Sequence, residues 1–199
     1  MAAIYEIMIK SVRTFKKDEK NYHQGSVYMD GKRIGFYSDE TDVPQNLKFD
    51  CGEEGINEFN TRVRQYFNQH NVTDEKRLEE MTAEEYNRLG GKLPVISLKD
   101  EKYRGNHDEI IRQFMYNLLL LHKCEREYKK AVKQGCHSIV LIHFLKLNGM
   151  VSRDDEIYYV EKKEAEMSST EDWAVKMYGS DLFPAIIREY ASNGDFVIH

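Results

Sequence analysis

The amino-acid sequence predicts an α+β fold: an N-terminal antiparallel β-meander covered by a helix, followed by a mostly helical half that contains a β-hairpin. Three observations predict this class. Residues 1–50 hold short strand-like runs separated by turn residues. Residues 55–70 and 106–135 carry apolar side chains at helical spacing. The run "HSIVLIHFLKL" (137–147) is apolar enough to form a buried strand.

Four strands are expected in the meander. They are "AIYEIMIKSVRTF", in which a bulge is allowed, "YHQGSVYM", "KRIGFYS" and "NLKFD". Asp30-Gly31, between the second and third strands, is typical of a two-residue type I′ turn, because Gly and Asp tolerate positive φ. Side chains alternate along a strand, so Val27 and Met29 share one face and Tyr28 lies on the other.

Three helices have clear sequence signals. The first, "GINEFNTRVRQYFNQH", should pack on the meander through one apolar face, which consists of Ile56, Phe59, Val63 and Phe67. In "TAEEYNRLGG", Thr82 and Glu85 match a capping box and Gly90 is a stop signal. The longest helix ends at Gly135, and its buried face consists of Ile111, Phe114, Met115, Leu118 and Leu121.

The C-terminal half is expected to be α+β. The run "EIYYVEK" (156–162) should pair with 137–147, and Ser168 should start a helix that continues through "EDWAVKMYG". "DLFPAIIREYA" (181–191) suits another helix, and "DFVIH" (195–199) a last short strand. The expected organisation is a sheet-plus-helix module at 1–70, a polar connecting segment with a short helix at 71–105 and a C-terminal unit at 106–199.

The 199-residue chain has a net charge of −5, which is unevenly distributed. Residues 1–50 are neutral in sum, 106–150 are mildly basic and 151–199 are strongly acidic. Phosphate binding depends on Lys and Arg, so an acidic chain without a basic stripe argues against direct nucleic-acid binding. The favoured partner is a protein with a basic groove.

The expected location is the cytoplasm. Cys51, Cys124 and Cys136 are scattered and form no CxxC pair, so neither a disulfide framework nor a zinc knuckle is indicated. Glu6 interrupts the N-terminal apolar run, which argues against a signal peptide. The apolar run that starts at Leu118 is too short to span a membrane.

No sequence motif indicates catalysis, a metal or a cofactor. "GGK" (90–92) lacks the rest of a P-loop and is interpreted as the end of a helix. The Cys and His residues lack the close spacing of zinc ligands. Adjacent Cys136 and His137 would point to opposite sides of an extended chain, so they are not a nucleophile–base pair. We therefore expect no enzymatic activity, no metal and no cofactor.

The most informative feature is an acidic tract with interleaved aromatic residues after residue 153. Carboxylates beside aromatic rings suit an Arg/Lys-rich groove on a partner, with the charges steering and the rings anchoring. The alternative is a hairpin edge that its charges keep soluble. The predicted partner-binding residues are Asp154, Asp155, Glu156, Tyr158, Tyr159, Glu161, Glu164 and Trp173.

Two stretches resemble a known group of proteins. "YHQGSVYMDGKRIGFYSDE", with the strands and helix around it, resembles the N-terminal module of small uncharacterised proteins from phages, prophages and other mobile elements of Firmicutes. These proteins share a "VYxDGKKIG" hairpin. A Gly-rich loop of that module is replaced here by "ETDVPQN". "KAVKQGCHSIVLIHFLK" resembles their C-terminal part. The matching hairpin residues are Val27, Tyr28, Asp30, Gly31, Lys32, Ile34 and Gly35.

The resemblance implies a setting in which small non-enzymatic proteins bind and block host defence machinery, CRISPR nucleases among them. We therefore expect an anti-CRISPR-like inhibitor that acts in the host cytoplasm. The competing hypothesis is an enzyme or small-ligand-binding protein that uses a cleft between the two halves, with His137, His143 or Tyr158 nearby.

Overall fold

The computed structural model confirms the α+β class. The chain is divided into two compact units. Unit 1 comprises Met1–His70, Ser97–Lys123 and Phe196–His199, and unit 2 comprises Asn71–Ile96 and Cys124–Asp195. This interleaved division differs from the sequential one expected at 1–70, 71–105 and 106–199. The structure describes residues 1–17, 20–40, 47–100, 103, 107–144, 155–161 and 185–199.

Unit 1 is built on a six-stranded sheet. Its strands are β1 (Ala3–Ile4), β2 (Ile7–Lys17), β3 (Lys20–Met29), β4 (Lys32–Ser38), β5 (Leu47–Phe49) and β9 (Val197–Ile198), and their order in the sheet is β5-β4-β3-β2-β1-β9. Neighbouring strands are antiparallel except β1 and β9, which are parallel. The end of the chain therefore returns to the N-terminal sheet.

The local features predicted for the meander are confirmed. Asp30 and Gly31 have φ values of 51° and 76°, as a type I′ turn requires. A bulge shifts the register of β2 and β3 between Lys10 and Arg13. Both strands are longer than predicted where they meet. Strand β2 ends at Lys17 and β3 begins at Lys20, whereas the predicted strands end at Phe15 and begin at Tyr22.

Helix α1 (Glu53–Gln69) and the part of α4 (His107–Lys133) up to Lys123 supply the rest of the core of unit 1, and α4 continues into unit 2 from Cys124. Phe59 of α1 contacts Phe49 of β5 and Phe114 of α4, with ring centroids 5.3 and 5.9 Å apart. The predicted apolar face of α1 is confirmed, although Ile56 is only partly buried. The buried side of the sheet includes Ile7, Ile9, Val27 and Met29.

Unit 2 contains a three-stranded antiparallel sheet of β6 (Ser138–Phe144), β7 (Glu156–Val160) and β8 (Ala185–Tyr190), in the order β7-β6-β8. The central strand β6 is buried along its whole length, as predicted. The capping box of Thr82 and Glu85 is present, and Gly90 follows the helix with a φ of 66°. Two short helices precede the sheet in this unit, α2 (Glu75–Glu80) and α3 (Ala83–Arg88).

The helix predicted over 181–191 is wrong where the structure describes that stretch. Ala185–Tyr190 is strand β8, which pairs with β6 from Phe144 to Ile139. The last predicted strand is shorter than expected, because a 3-10 turn at Asn193–Phe196 precedes β9. Helix α2 has no counterpart among the predicted elements. The helix expected from Ser168 lies outside the described residues.

Within the described ranges, no helix is long and apolar enough to cross a membrane.

Candidate functional site

The acidic tract places four of its predicted partner-binding residues on or directly beside β7, at the edge of the unit 2 sheet. Strand β7 pairs with β6 and with no other strand in the part of the chain that the structure describes. Glu156, Tyr158 and Tyr159 are partly exposed, and Glu161 directly after the strand is exposed. The strand therefore carries two carboxylates and two phenol rings along one sheet edge.

Asp155 precedes β7 and has a different role from its neighbours. Its Oδ1 atom lies 2.6 Å from Nδ1 of His143, a buried residue of β6. The other ring nitrogen of His143, Nε2, lies 3.2 Å from Oε1 of Glu75 at the start of α2. The imidazole is thus held between two carboxylates, and this group of three side chains is called the His143 triad below.

The His143 triad favours a protonated imidazole. Burial alone would lower the pKa of His143, but the hydrogen bonds to Asp155 and Glu75 and the charges of both carboxylates outweigh it and raise the pKa to about 9. The ring is therefore an imidazolium near neutral pH, and both of its N–H groups donate to carboxylates.

This protonation state limits the chemistry of the His143 triad. An imidazolium has no lone pair, so it cannot accept a proton as a general base or bind a metal. Both ring nitrogens already have carboxylate partners. The triad is suited to fixing β6, β7 and α2 against one another, since a buried charge is retained when it is paired and hydrogen-bonded.

The two tyrosines of β7 have different partners. The Tyr159 hydroxyl donates to Oε2 of Glu127 in α4 over 2.7 Å, and this hydrogen bond, with burial, raises the tyrosine pKa to about 12. The Tyr158 hydroxyl donates to Glu156, and its ring packs against the cluster around Val140. Both rings are therefore held in place before any partner binds.

The structure describes five of the eight predicted partner-binding residues. Glu156, Tyr158, Tyr159 and Glu161 lie together at the sheet edge, whereas Asp155 is turned inward to His143. The other three, which are Asp154, Glu164 and Trp173, lie outside the described residues.

Sequence reasoning missed Glu75 and Glu127. One signal was available for Glu75: a histidine in the apolar run "SIVLIHF" must find polar partners when the strand is buried. Nothing in the sequence indicates that those partners are Asp155 and a glutamate 68 positions earlier. Among the described residues, no group of three or more His, Cys, Asp or Glu side chains is arranged to hold a metal ion.

Compared with models of protein families, with curated proteins and with solved structures, the chain has no match. The resemblance to mobile-element proteins therefore stays a prediction.

Proposed function

We propose that this chain is a non-enzymatic inhibitor, encoded by a phage or another mobile element, that binds and blocks a host defence protein in the host cytoplasm. A CRISPR effector is the first candidate target, which makes the protein anti-CRISPR-like. The proposed contact uses the edge strand β7 and the acidic tract that surrounds it.

The edge position of β7 is the observation that carries this proposal. An edge strand offers backbone N–H and C=O groups to a partner chain. Here the same edge presents Glu156 and Glu161 with the ordered rings of Tyr158 and Tyr159. A groove that normally binds phosphates is rich in Lys and Arg, so carboxylates attract it and aromatic rings can anchor the contact.

The state of His143 supports a role without catalysis. His143 is buried, and its two ring nitrogens are held by the carboxylates of Asp155 and Glu75. His137 is exposed, and its backbone N–H donates to the carbonyl of Val160 over 2.8 Å. Neither arrangement provides an activated base next to a nucleophile, which acyl transfer or hydrolysis would need.

The test is cleavage of target nucleic acid by a panel of CRISPR effectors with and without the purified protein. We expect the protein to inhibit at least one effector and Glu156→Lys/Glu161→Lys to abolish that inhibition. The matched control is Glu80→Lys/Glu84→Lys, which changes the net charge equally at exposed positions of the same unit.

Two outcomes would contradict the proposal. Failure of the wild-type protein to inhibit any effector would exclude the first-choice target. Equal inhibition by Glu156→Lys/Glu161→Lys and the wild type would place the contact elsewhere. Melting curves of both double variants verify that they remain folded.

A further inference from the structure

The unit 1 sheet has one face that the described helices of this unit do not cover. Helix α1 packs on the other face, where Phe59 contacts Phe49, and Phe114 of α4 contacts Phe59 on that side. On the opposite face, referred to below as the basic sheet face, a cross-strand row runs from β5 to β2. The row consists of Lys48, Phe36, Ser26 and Lys10, each opposite the next.

Two further rows flank this one. On one side Tyr28 lies opposite both Met8 and Arg33, and on the other side Gln24 lies opposite Arg13. The Lys10 ammonium lies 4.4 Å from the centroid of the Tyr28 ring. At the far end of the same face, Phe15 and Tyr22 stack with centroids 5.7 Å apart. Cations and aromatic rings thus lie beside one another on the face, and of these rings Tyr22 is buried.

The two faces of the unit 1 sheet differ in their charged residues. Residues 1–50 contain equal numbers of basic and acidic side chains. Nevertheless, none of the described positions on the basic sheet face is Asp or Glu. The positions whose side chains are described include five basic ones: Lys10, Arg13, Lys17, Arg33 and Lys48.

Two of these five cations are paired with carboxylates. Arg33 pairs with Asp50 and Lys17 with Glu40 at the margins of the face, with N–O distances of 3.0 and 2.7 Å. Within the described residues, Lys10, Arg13 and Lys48 have no carboxylate partner. The face therefore keeps positive charge at both ends of the row, from Lys48 on β5 and from Lys10 and Arg13 on β2.

We propose that the basic sheet face of unit 1 binds single-stranded nucleic acid. Lys10, Arg13 and Lys48 would contact phosphates, and Phe36 and Tyr28 would stack on bases. Proteins that bind single strands without sequence preference combine these two elements, a positive surface that follows the backbone and rings on which successive bases stack. A sheet with aromatic side chains on its open face is one recurrent way to build such a platform.

The dimensions of the face fit this ligand. Strands lie about 4.8 Å apart, so Lys48 on β5 and Lys10 on β2 are separated by roughly 14 Å at the backbone. Between them lie the Phe36 ring and the Ser26 hydroxyl. A single strand that crosses the sheet would thus meet a cation, a ring and a second cation in succession.

An acidic protein is the competing ligand, and the rings favour nucleic acid over it. Lysines alone would serve any polyanion. Phe36 is a large apolar side chain that stays partly exposed between Lys48 and Ser26. A ring in this position contributes most binding free energy when a flat partner stacks on it. The proposal is independent of the defence-protein contact, which uses a strand of unit 2.

The test is fluorescence anisotropy of the full-length protein with a labelled oligouridylate of about 20 nucleotides at about 50 mM salt. We expect Lys10→Glu/Lys48→Glu to weaken binding at least about tenfold. We also expect the double substitution to reduce the slope of log K against log salt by about 1.4 in magnitude. Each phosphate contact to a single strand contributes about 0.7 to that slope, and two contacts are lost. Phe36→Ala should weaken binding by about 5- to 150-fold, and Phe36→Tyr should restore it.

The matched control is Lys16→Glu/Lys123→Glu. Lys16 lies on the same strand as Lys10 but on the other face, and Lys123 is exposed on α4. This control should bind like the wild type. Circular dichroism melting verifies that all variants are folded.

Three results would overturn the proposal. One is no binding of oligouridylate by the wild-type protein at about 50 mM salt. Another is an equal loss in the control pair and in Lys10→Glu/Lys48→Glu. The third is equally tight binding of polyglutamate with no effect of Phe36→Ala on either ligand, which would identify the face as a surface for acidic proteins.

Discussion

At the residue scale, Gly31 and His143 are each required by the local structure, for different reasons. Gly31 is required by its backbone conformation, because its φ of 76° is one that L side chains rarely adopt. His143 is required by its partners, because its ring is held between Asp155 and Glu75. The first requirement was visible in the dipeptide Asp-Gly, whereas the second depends on residues that only the fold brings together.

Gly31→Val should destabilise unit 1 by about 1–3 kcal/mol. A Cβ atom at position 31 would meet no other atom within 4 Å. The cost is therefore one of backbone conformation, since a β-branched residue resists positive φ. Urea denaturation measures the change, with Lys32→Val as the control at an exposed strand position. An unchanged midpoint would show that the turn accommodates a β-branched residue without strain.

The His143 triad should make stability depend on pH. The pKa of about 9 in the folded protein lies above the ordinary value of 6.5. The stabilisation is therefore fully present below about pH 6.5 and is lost as the pH rises through about 9. A difference of this size corresponds to on the order of 3 kcal/mol in the free energy of unfolding.

Urea unfolding at about pH 6.5 and about pH 9.5 tests this dependence. We expect the wild type to lose much of that stabilisation between the two pH values, and His143→Gln to lack this part of the change. His137→Gln is the control, because His137 is exposed. If His143→Gln is poorly folded, Asp155→Asn should still flatten the dependence. A dependence unchanged in both variants would mean that the triad does not contribute.

At the element scale, long periodic segments were predictable and a short ambiguous one was not. Helix α1 buries Phe59, Val63 and Phe67, because apolar residues recur at helical spacing over the whole segment. In β8 the residues Ile186, Ile187 and Tyr190 also fit helical spacing. Strand β6 offers a buried partner along the segment, and pairing with it prevails over a pattern only six residues long.

Ile142→Ala should test the role of β6 as the centre of unit 2. Ile142 is completely buried and lies opposite Glu156 on β7 and Ile187 on β8. Its truncation leaves a cavity, and we expect a loss of about 2–5 kcal/mol in the free energy of unfolding. Leu89→Ala, at a residue that is 46% exposed, should change it by no more than about 0.5 kcal/mol. Similar losses in both variants would contradict this.

At the scale of the whole molecule, the distribution of charge in space differs from its distribution along the chain. The sequence shows the acidic C-terminal quarter directly, and β7 places part of it at a sheet edge. It does not show the basic sheet face, because alternation along β2 to β5 separates charges that cancel in a sum over residues 1–50. The inward position of Asp155 was equally hidden, because only the pairing of β6 with β7 brings its carboxylate to the buried ring of His143.

The charge of the β7 edge leads to the last prediction, which concerns association of the protein with an effector that it inhibits. If carboxylates steer the encounter, the association rate constant should fall by at least about tenfold when salt is raised from low to physiological strength. At physiological strength the reach of a charge shortens to about 8 Å. Surface plasmon resonance with the immobilised effector measures this rate.

Glu156→Lys/Glu161→Lys should slow association at low salt and remove most of its salt dependence. The dissociation rate should change less, because charges at the rim of an interface act mainly on the encounter. Glu80→Lys/Glu84→Lys carries the same net charge but reverses carboxylates of α2 and α3. If this control loses as much salt dependence as the β7 variant, steering follows the total charge of the molecule and the β7 edge has no special part in it.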